Sequence, residues 1–252
     1  MTDLNYSEHI KRTYGGDDPR EVPLYTVPRA SRYLKIPQRT IRDWVMGWRY
    51  QTQSGARKLA PVIKLPEPNT PVLSFMNLLE AHVLGGMRRI ERVPFYKVRR
   101  ALEYVEREIP SPHPLVDHAF ETDGIDLFVR RLDQLIKVSD YGQIVFKEVV
   151  SRYLRRIRRD LDQSAVRLFP YLYPHPQSLR KEVSVDEPET VMIDPLISFG
   201  RPVLVGTGIP TDVVADRFIA GEDIEDLARD YGIKTAQVQE AVRYEYPTSK
   251  AA

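Results

Sequence analysis

Cysteine is absent from this chain of 252 residues. Without thiols the protein forms no disulfide, holds no metal through thiolate ligands and uses no cysteine nucleophile. Long apolar runs are also missing, since no stretch reaches the roughly 18 residues that a membrane-spanning helix needs. The first nine residues lack the pattern of a signal peptide. We therefore expect a cytoplasmic protein with no membrane span.

The charge is unevenly distributed, although the net charge is only +2. Residues 1–66 contain 12 Lys and Arg against 6 Asp and Glu, and residues 67–183 contain 19 against 16. In residues 184–252 the balance reverses to 6 against 13. Such an asymmetry predicts different partners for the two ends of the chain.

Two proline-rich joints, at residues 66–71 and 169–176, divide the chain. They predict a mainly α fold with short β elements in four parts. The parts are a flexible arm (1–20), a winged helix-turn-helix domain (21–70), an α+β middle and dimerisation region (71–183) and an acidic helix-turn-helix-like domain (184–252). Within the middle region we expect helices at about 74–89, 95–108 and 142–160, and short strands at 127–129 and 134–138.

Residues 25–65 have the pattern of a helix-turn-helix followed by a wing. Thr26 is a plausible N-cap, Ala30 and Leu34 share one helix face, and Pro37 suits the start of a second helix. The inward face of that second helix is predicted to consist of Ile41, Trp44 and Val45. After Gly47, residues 48–63 are predicted to form the wing, with its tip at residues 54–55.

The outward face of the second helix carries residues suited to DNA. The predicted outward residues are Gln38, Arg39, Thr40, Arg42 and Asp43. Gln38, Arg39 and Arg42 are expected at base edges. The residues expected nearer the phosphates are Arg29, Thr40, Arg57 and Lys58, and Arg49 joins them in the DNA-binding set. Residues 25–65 contain nine Lys and Arg and one acid, a local charge of +8 that favours phosphates. The alternative is a basic, solvated helix pair in an unrelated fold.

This N-terminal segment, with its run from Leu34 through Pro37 to Trp44, resembles the winged-helix domain of MerR-type regulators. It departs from that pattern at Lys35, where a glycine is common in the turn. A left-handed conformation there costs a lysine roughly 1–2 kcal/mol.

The acidic end predicts a second helix-turn-helix. Val214 and Phe218 share a face of its first helix. The second helix has an apolar stripe of Ile224, Leu227, Ala228 and Tyr231 and ends at Gly232 as a C-terminal cap. A third helix is expected to be capped by Thr235, with Val238, Ala241 and Val242 inward. Gly206 and Gly208 favour a hairpin turn over a phosphate cradle, because the lysine of a P-loop is missing. The acidic residues repel phosphates and so favour a protein-binding or dimerising role.

Residues 190–246, with the stretches 199–203, 206–211 and 227–232, resemble the domain-of-unknown-function 433 family. The preceding part, with residues 73–80, 114–115 and 142–143, resembles the N-terminal portion of VapB-type antitoxins. The resemblance covers residues 25–246. It implies a type II antitoxin that binds its own promoter and neutralises a neighbouring PIN-like ribonuclease toxin.

No catalytic pattern emerges, so we expect no enzyme, no metal and no cofactor. His113, Asp117 and His118 match no zinc-site spacing and are interpreted as loop residues near a proline run. The basic run at 155–159 fits either a second phosphate contact or a solvated helix end.

The leading hypothesis is a homodimeric DNA-binding antitoxin, with operator DNA and a PIN-like toxin as partners. The C-terminal unit would pair with itself or with the toxin. PIN-like toxins generally have an acidic, magnesium-binding site, and Arg243 or Lys250 is a candidate cation to enter it. The alternative is a MerR-like transcription regulator without a toxin, whose middle region senses a small molecule.

Overall fold

A computed structural model describes residues 18–52, 55–88, 94–136, 140–171 and 188–246. The chain forms two compact units, residues 1–166 and residues 167–252. The layout is mainly helical with short two-stranded sheets, as the sequence predicts. The domain limits at 70 and 183 stay predictions, and the arm at 1–17 lies outside the described residues. None of the described helices is both long and apolar enough to cross a lipid bilayer.

The first unit begins with the expected helix-turn-helix and hairpin. Its elements are β1 (Tyr25–Thr26), α1 (Val27–Leu34), α2 (Gln38–Met46), β2 (Trp48–Thr52), β3 (Gly55–Leu59) and β4 (Val72–Leu73). β2 and β3 are antiparallel with Trp48 opposite Leu59. β1 and β4 are also antiparallel, with Tyr25 opposite Leu73, so the ends of the helix-turn-helix segment are held together.

Four longer helices complete this unit: α3 (Phe75–Arg88), α4 (Phe95–Glu108), α5 (Ile125–Ile136) and α6 (Asp140–Arg155). α3 is buried on nearly all sides, and α1 and α6 both pack against it. A Cβ on Gly85 would lie 2.7 Å from Cδ1 of Ile36, so the Ile36 side chain packs directly against α3 at this glycine. α4 packs along α5, and α5 contacts α6.

Two expectations for the middle region are wrong. Residues 127–129 and 134–136 belong to α5 rather than to strands, and residues 137–139 lie outside the described residues. α5 follows a π-helical turn, Phe120–Gly124, and buries Ile125, Phe128 and Leu132 on one face. The helix expected to reach 160 ends at Arg155, and β5 (Ile157–Arg159) follows. β5 pairs with β6 (Ala165–Leu168), at whose third residue the second unit begins.

The second unit contains a small β pair and three helices. Its elements are β7 (Val191–Met192), β8 (Val203–Leu204), α7 (Thr211–Ile219), α8 (Ile224–Tyr231) and α9 (Thr235–Glu245). The core contains Val214, Leu227, Ala228, Val238 and Ala241 from the predicted apolar stripes. Phe218, Ile224 and Tyr231 are partly buried against it, and Val242, which was expected inward, is only half-buried. Gly206 and Gly208 lie in a turn that brings Pro210 back to pair with Val203, which confirms the hairpin interpretation.

Candidate nucleic-acid interface

The turn between α1 and α2 is held by Ser31. Its hydroxyl donates to the carbonyl of Ile36 at 2.6 Å, and the N–H of Ile36 donates to the carbonyl of Ser31 at 3.2 Å. Lys35 has φ 54° and ψ 40°, so this lysine adopts the left-handed conformation in spite of its Cβ. Thr26 caps α1 by accepting from the N–H of Arg29 at 3.5 Å, as predicted.

The inward face of α2 matches the sequence pattern, because Ile41, Trp44 and Val45 are all buried. Thr40 is buried as well, with 6% of its surface exposed. The expectation that Thr40 points outward is therefore wrong. Its hydroxyl group is not among the groups that can contact phosphates. The reason is geometric, since Thr40 precedes Ile41 at the edge of the buried stripe.

The remaining outward positions form an exposed, basic surface. Gln38, Arg39 and Arg42 are exposed on α2, and Arg29 is exposed on α1. Within the described part of the chain these three arginines have no ion-pair partner. Asp43, the single acid of residues 25–65, is half-buried. The guanidinium groups are therefore available to an external anion.

The wing starts at a glycine that no other residue can replace without strain. Gly47 has φ 72° and ψ 176°, a region that is essentially restricted to glycine. A Cβ at this position would lie 2.2 Å from the carbonyl oxygen of Leu59, on the opposite strand. In the hairpin Arg49 lies opposite Lys58, and Arg57 lies opposite Tyr50. The side chains of Arg49, Arg57 and Lys58 lie outside the described residues.

α4 and residues 60–63 brace the wing against α2. The N–H groups of Val62 and Ile63 both donate to the carbonyl of Trp44, at 2.7 Å and 3.1 Å. The indole of Trp44 stacks on Phe95, with ring centroids 5.8 Å apart. Arg99 donates to the carbonyl of Ala60. These contacts therefore support α2 and the start of the wing from the side of α4.

An ion cluster that the sequence does not predict supports the same segment, with His113 and Glu80 buried and Glu21 exposed. Nδ1 of His113 is hydrogen-bonded to the carboxyl group of Glu80 at 3.0 Å, and Nε2 is hydrogen-bonded to the carboxyl group of Glu21 at 2.9 Å. Burial alone would lower the pKa of His113, but the bonds to Glu21 and Glu80 outweigh it and raise the pKa to about 9. Burial raises the pKa of Glu80, against the opposing effect of bonds from His113 and Asn77. The loop interpretation of His113 is therefore incomplete, because its ring ties α3 to the start of the helix-turn-helix segment.

A cavity of about 290 Å³ adjoins this cluster. Its wall includes Arg20, Glu21, His113, His118 and Arg159. Arg20 donates to Asp18 at 2.6 Å, and the backbone of residues 20–24 continues directly into β1. No group of three or more metal-ligating residues is present among the described residues.

The basic run at 155–159 is not a solvated helix end. Arg156 is buried, and only Arg155 belongs to a helix. Arg159 donates to Glu121 at 2.9 Å and to the carbonyl of Val116 at 2.9 Å. Most of this run therefore serves packing within the first unit.

The second helix-turn-helix also forms, with one difference from the prediction. Gly232 caps α8 in the left-handed conformation, as expected. The N-cap of α9 is Lys234 rather than Thr235, and Gln237 accepts from the Lys234 N–H at 3.0 Å. Arg243 on α9 bonds to Glu240 at 2.7 Å, and Lys250 lies outside the described residues.

Comparisons with known proteins agree with the N-terminal helix-turn-helix assignment and with the family resemblance of the C-terminal unit. Residues 23–102 match a family model described as "Putative DNA-binding HTH domain", and residues 191–244 match one described as "Protein of unknown function (DUF433)". The first match ends within α4, so it includes the first half of the helix that braces the wing.

Three similar proteins come from Mycobacterium tuberculosis. "Putative antitoxin VapB45" is 32% identical over 240 residues, covering 88% of this chain and 93% of that protein. Uncharacterized protein Rv2308 is 25% identical, covering 89% and 90%. The X-ray crystal structure of Rv2018 superposes with a TM-score of 0.60 at 25% identity, covering 88% of this chain and 98% of that one. The chain therefore belongs to the family of VapB-type antitoxins that combine an N-terminal helix-turn-helix domain with a C-terminal DUF433 domain.

Proposed function

We propose that this protein is a cytoplasmic, homodimeric antitoxin that binds the operator of its own gene and neutralises a PIN-like ribonuclease toxin. The observation that carries the DNA-binding half is the exposed set of Gln38, Arg39 and Arg42 on a braced α2. Family membership supports the antitoxin half. On this proposal the chain acts as a non-enzymatic regulator.

In this proposal α2 enters the major groove of the operator. Arg39 and Arg42 donate to guanine edges, and Gln38 pairs with adenine. Arg29 and the wing residues Arg49, Arg57 and Lys58 contact phosphates. The phosphate contacts set the position of the domain, and the contacts from α2 supply the sequence preference.

Dimerisation through the middle region would place two such domains on a palindromic site. A pair of domains doubles the number of contacts and matches the two-fold symmetry of the operator. The second unit would then bind the toxin. Arg243 or Lys250 is proposed to enter the acidic active site, for which Arg243 must first leave Glu240. Full toxin inhibition by an Arg243→Ala/Lys250→Ala variant would overturn this assignment of the cation.

The DNA-binding proposal is tested by fluorescence anisotropy with the labelled upstream duplex and a scrambled duplex, at two salt concentrations. We expect Arg39→Ala/Arg42→Ala to weaken operator binding by about 30-fold or more, because each bidentate arginine contributes about 1–3 kcal/mol. Binding of the wild type should also weaken steeply with added salt.

The matched control is Arg107→Ala/Arg130→Ala, which removes the same charge. Both control residues are exposed, and each donates to a backbone carbonyl of its own helix. We expect the control to retain operator affinity within about threefold. Equal binding to both duplexes, unaffected by the α2 substitutions, would show that α2 does not read sequence.

The cavity beside His113 supports a second candidate, a regulator that senses a small molecule. Its volume of about 290 Å³ suits a small polar ligand, and its wall includes residues that lead into β1. A metabolite that raises the melting temperature of the wild type, but not of a His118→Leu/Ser111→Leu variant, would favour this candidate. Toxin neutralisation without any such ligand would exclude it as the primary function.

A further inference from the structure

An aromatic side chain in the second unit is presented to solvent on a strained loop. Phe199 is 88% exposed and has φ 54° and ψ 42°. Ser198 before it and Gly200 after it also have positive φ, of 48° and 68°. Residues other than glycine avoid this left-handed region because Cβ approaches the following carbonyl oxygen.

The loop holds this conformation through its own hydrogen bonds. The hydroxyl of Ser198 donates to the carbonyl of Gly208 at 2.9 Å. The N–H of Gly200 donates to Ile197 at 3.0 Å, and the N–H of Arg201 donates to Ser198 at 3.2 Å. The unit therefore maintains two strained residues yet leaves Phe199 88% exposed. Packing among the described residues does not account for Phe199, which is the situation in which strain indicates function.

The strained loop borders the exposed side of α7. Arg201 bonds to Asp212 in the first turn of that helix. Further along, the hydroxyl of Tyr246 donates to Asp216 at 2.9 Å. Other apolar residues are exposed beside these polar groups, with Ile219 at 59% and Tyr246 at 46%. We name this surface the Phe199 face, and its members are Phe199, Val213, Asp216, Ile219 and Tyr246.

The Phe199 face has an acidic surrounding. Asp212 bonds to Arg201, and Arg217 bonds to both Glu222 and Asp230. Together with Asp216, four carboxylates surround two guanidinium groups, which leaves a charge of −2 on these residues. A nucleic acid would be repelled by this charge, and so would the same face of a second copy. A basic protein surface would be attracted to it.

We propose that the Phe199 face is the surface that docks the toxin, with the phenyl ring entering an apolar pocket that is bordered by Lys or Arg. This inference rests on the proposed antitoxin function and adds the contact surface. An exposed aromatic residue that inserts into a partner's pocket is typical of a binding hot spot. The fixed loop presents the ring without a further loss of chain entropy on binding.

The test uses the full chain and the purified product of the gene that adjoins its own. Isothermal titration gives the dissociation constant for the wild type and for Phe199→Gly. We expect Phe199→Gly to weaken binding by about 30-fold or more. The same variant should melt about 2–5 °C higher, because glycine relieves the left-handed strain. Improved stability with impaired binding cannot arise from a role in folding.

The matched control is Leu161→Ala in the first unit, where Leu161 is 92% exposed in a turn. It should change neither the dissociation constant nor the melting temperature. Association of the wild type should slow as salt is added, since the attraction is electrostatic. These results together would support docking at the Phe199 face.

Two negative results have different meanings. A wild type that binds and inhibits the neighbouring product, with unchanged affinity in Phe199→Gly, would overturn the Phe199 face and leave the antitoxin function in place. A wild type that does not bind the product would overturn the antitoxin function itself. If Phe199→Gly instead dissociated the protein into monomers in sedimentation, the face would be a self-interface and the docking proposal would be wrong.

Discussion

The two units contain the same helix-turn-helix geometry on surfaces of opposite charge. Each turn consists of a left-handed residue, an isoleucine and an N-cap: Lys35, Ile36 and Pro37 in the first unit and Gly232, Ile233 and Lys234 in the second. In both, the isoleucine N–H donates to the carbonyl five residues earlier, Ser31 at 3.2 Å and Ala228 at 2.9 Å. The turn therefore has the same backbone conformation in both units, although the side chains around it differ in charge.

The difference lies in the side chains of the second helix of each motif. Position for position, Gln38, Arg39 and Arg42 correspond to Thr235, Ala236 and Gln239. The second unit therefore has no arginine at the positions of Arg39 and Arg42. The helix before its turn, α8, carries three acidic residues and one arginine. One motif is suited to phosphates and base edges, whereas the other is suited to a protein partner.

The largest expected effect concerns the wing that follows the motif in the first unit. Gly47→Ala should destabilise that unit by about 4 kcal/mol, because the backbone conformation excludes Cβ and the new atom meets Leu59. Urea denaturation measures this loss. The control is Gly206→Ala, which also has positive φ but nothing within 4 Å of the added Cβ, and should cost only about 1–2 kcal/mol. Equal losses in the two variants would mean that contact with Leu59 is unimportant.

The next effect concerns the ion cluster, which is a feature of the first unit. The pKa of His113 is about 9 in the folded chain and its ordinary value is 6.5, so between these values the folded state holds a proton that the unfolded state has lost. The contribution of His113 to the free energy of unfolding is therefore fully present below pH 6.5 and is lost as the pH rises through 9. We expect a loss of up to about 1.4 kcal/mol per pH unit and of about 3 kcal/mol in total. Urea denaturation at pH 6, 7.5 and 9 measures the slope.

The control for this titration is His113→Gln, which keeps a hydrogen-bonding side chain but does not ionise. It should be less stable at pH 6 and should lose most of the pH dependence between 6.5 and 9. A variant with the same slope as the wild type would assign the titration to another group.

The smallest expected effect concerns the left-handed residue of each turn, which is a lysine in the first unit and a glycine in the second. Lys35→Gly should stabilise the first unit by about 1 kcal/mol, whereas Gly232→Ala should destabilise the second by a similar amount. Nothing lies within 4 Å of a Cβ added to Gly232, so backbone strain is the main contribution there. Thermal unfolding of both variants provides the measurement. Changes of the same sign would show that the two turns are not equivalent.

Much of the fold was predictable because local signals agree with tertiary packing. Apolar spacing predicts α3 and α4 to within a residue at each end, and Thr26 and Pro37 mark the starts of α1 and α2. α5 was mistaken for strands because Leu127, Phe128 and Val129 form a short apolar run. The helical spacing of Ile125, Phe128 and Leu132 extends beyond that run. The expectation for Thr40 is wrong because this residue lies at the edge of the buried face of α2, where the spacing of apolar residues does not define the boundary.

The candidate sites were less predictable, for a physical reason. Glu21, Glu80 and His113 are far apart in the chain and meet only through folding. No spacing rule links them, and His113 lies in a proline-rich loop whose local sequence suggests exposure. The strain at Phe199 is equally hard to predict from the sequence. Of its two neighbours with positive φ, Ser198 is not a residue type that signals this conformation.

Trp44, which stacks on Phe95, can serve as an intrinsic fluorescence probe of the first unit. There are two tryptophans in all, Trp44 and Trp48, and both belong to the first helix-turn-helix region. Trp44 is buried and Trp48 is half exposed at the base of the wing. Intrinsic tryptophan emission therefore reports on the first helix-turn-helix and its wing and carries no signal from the second unit. Circular dichroism detects the helices of both, so the two methods together follow each unit separately in the intact protein.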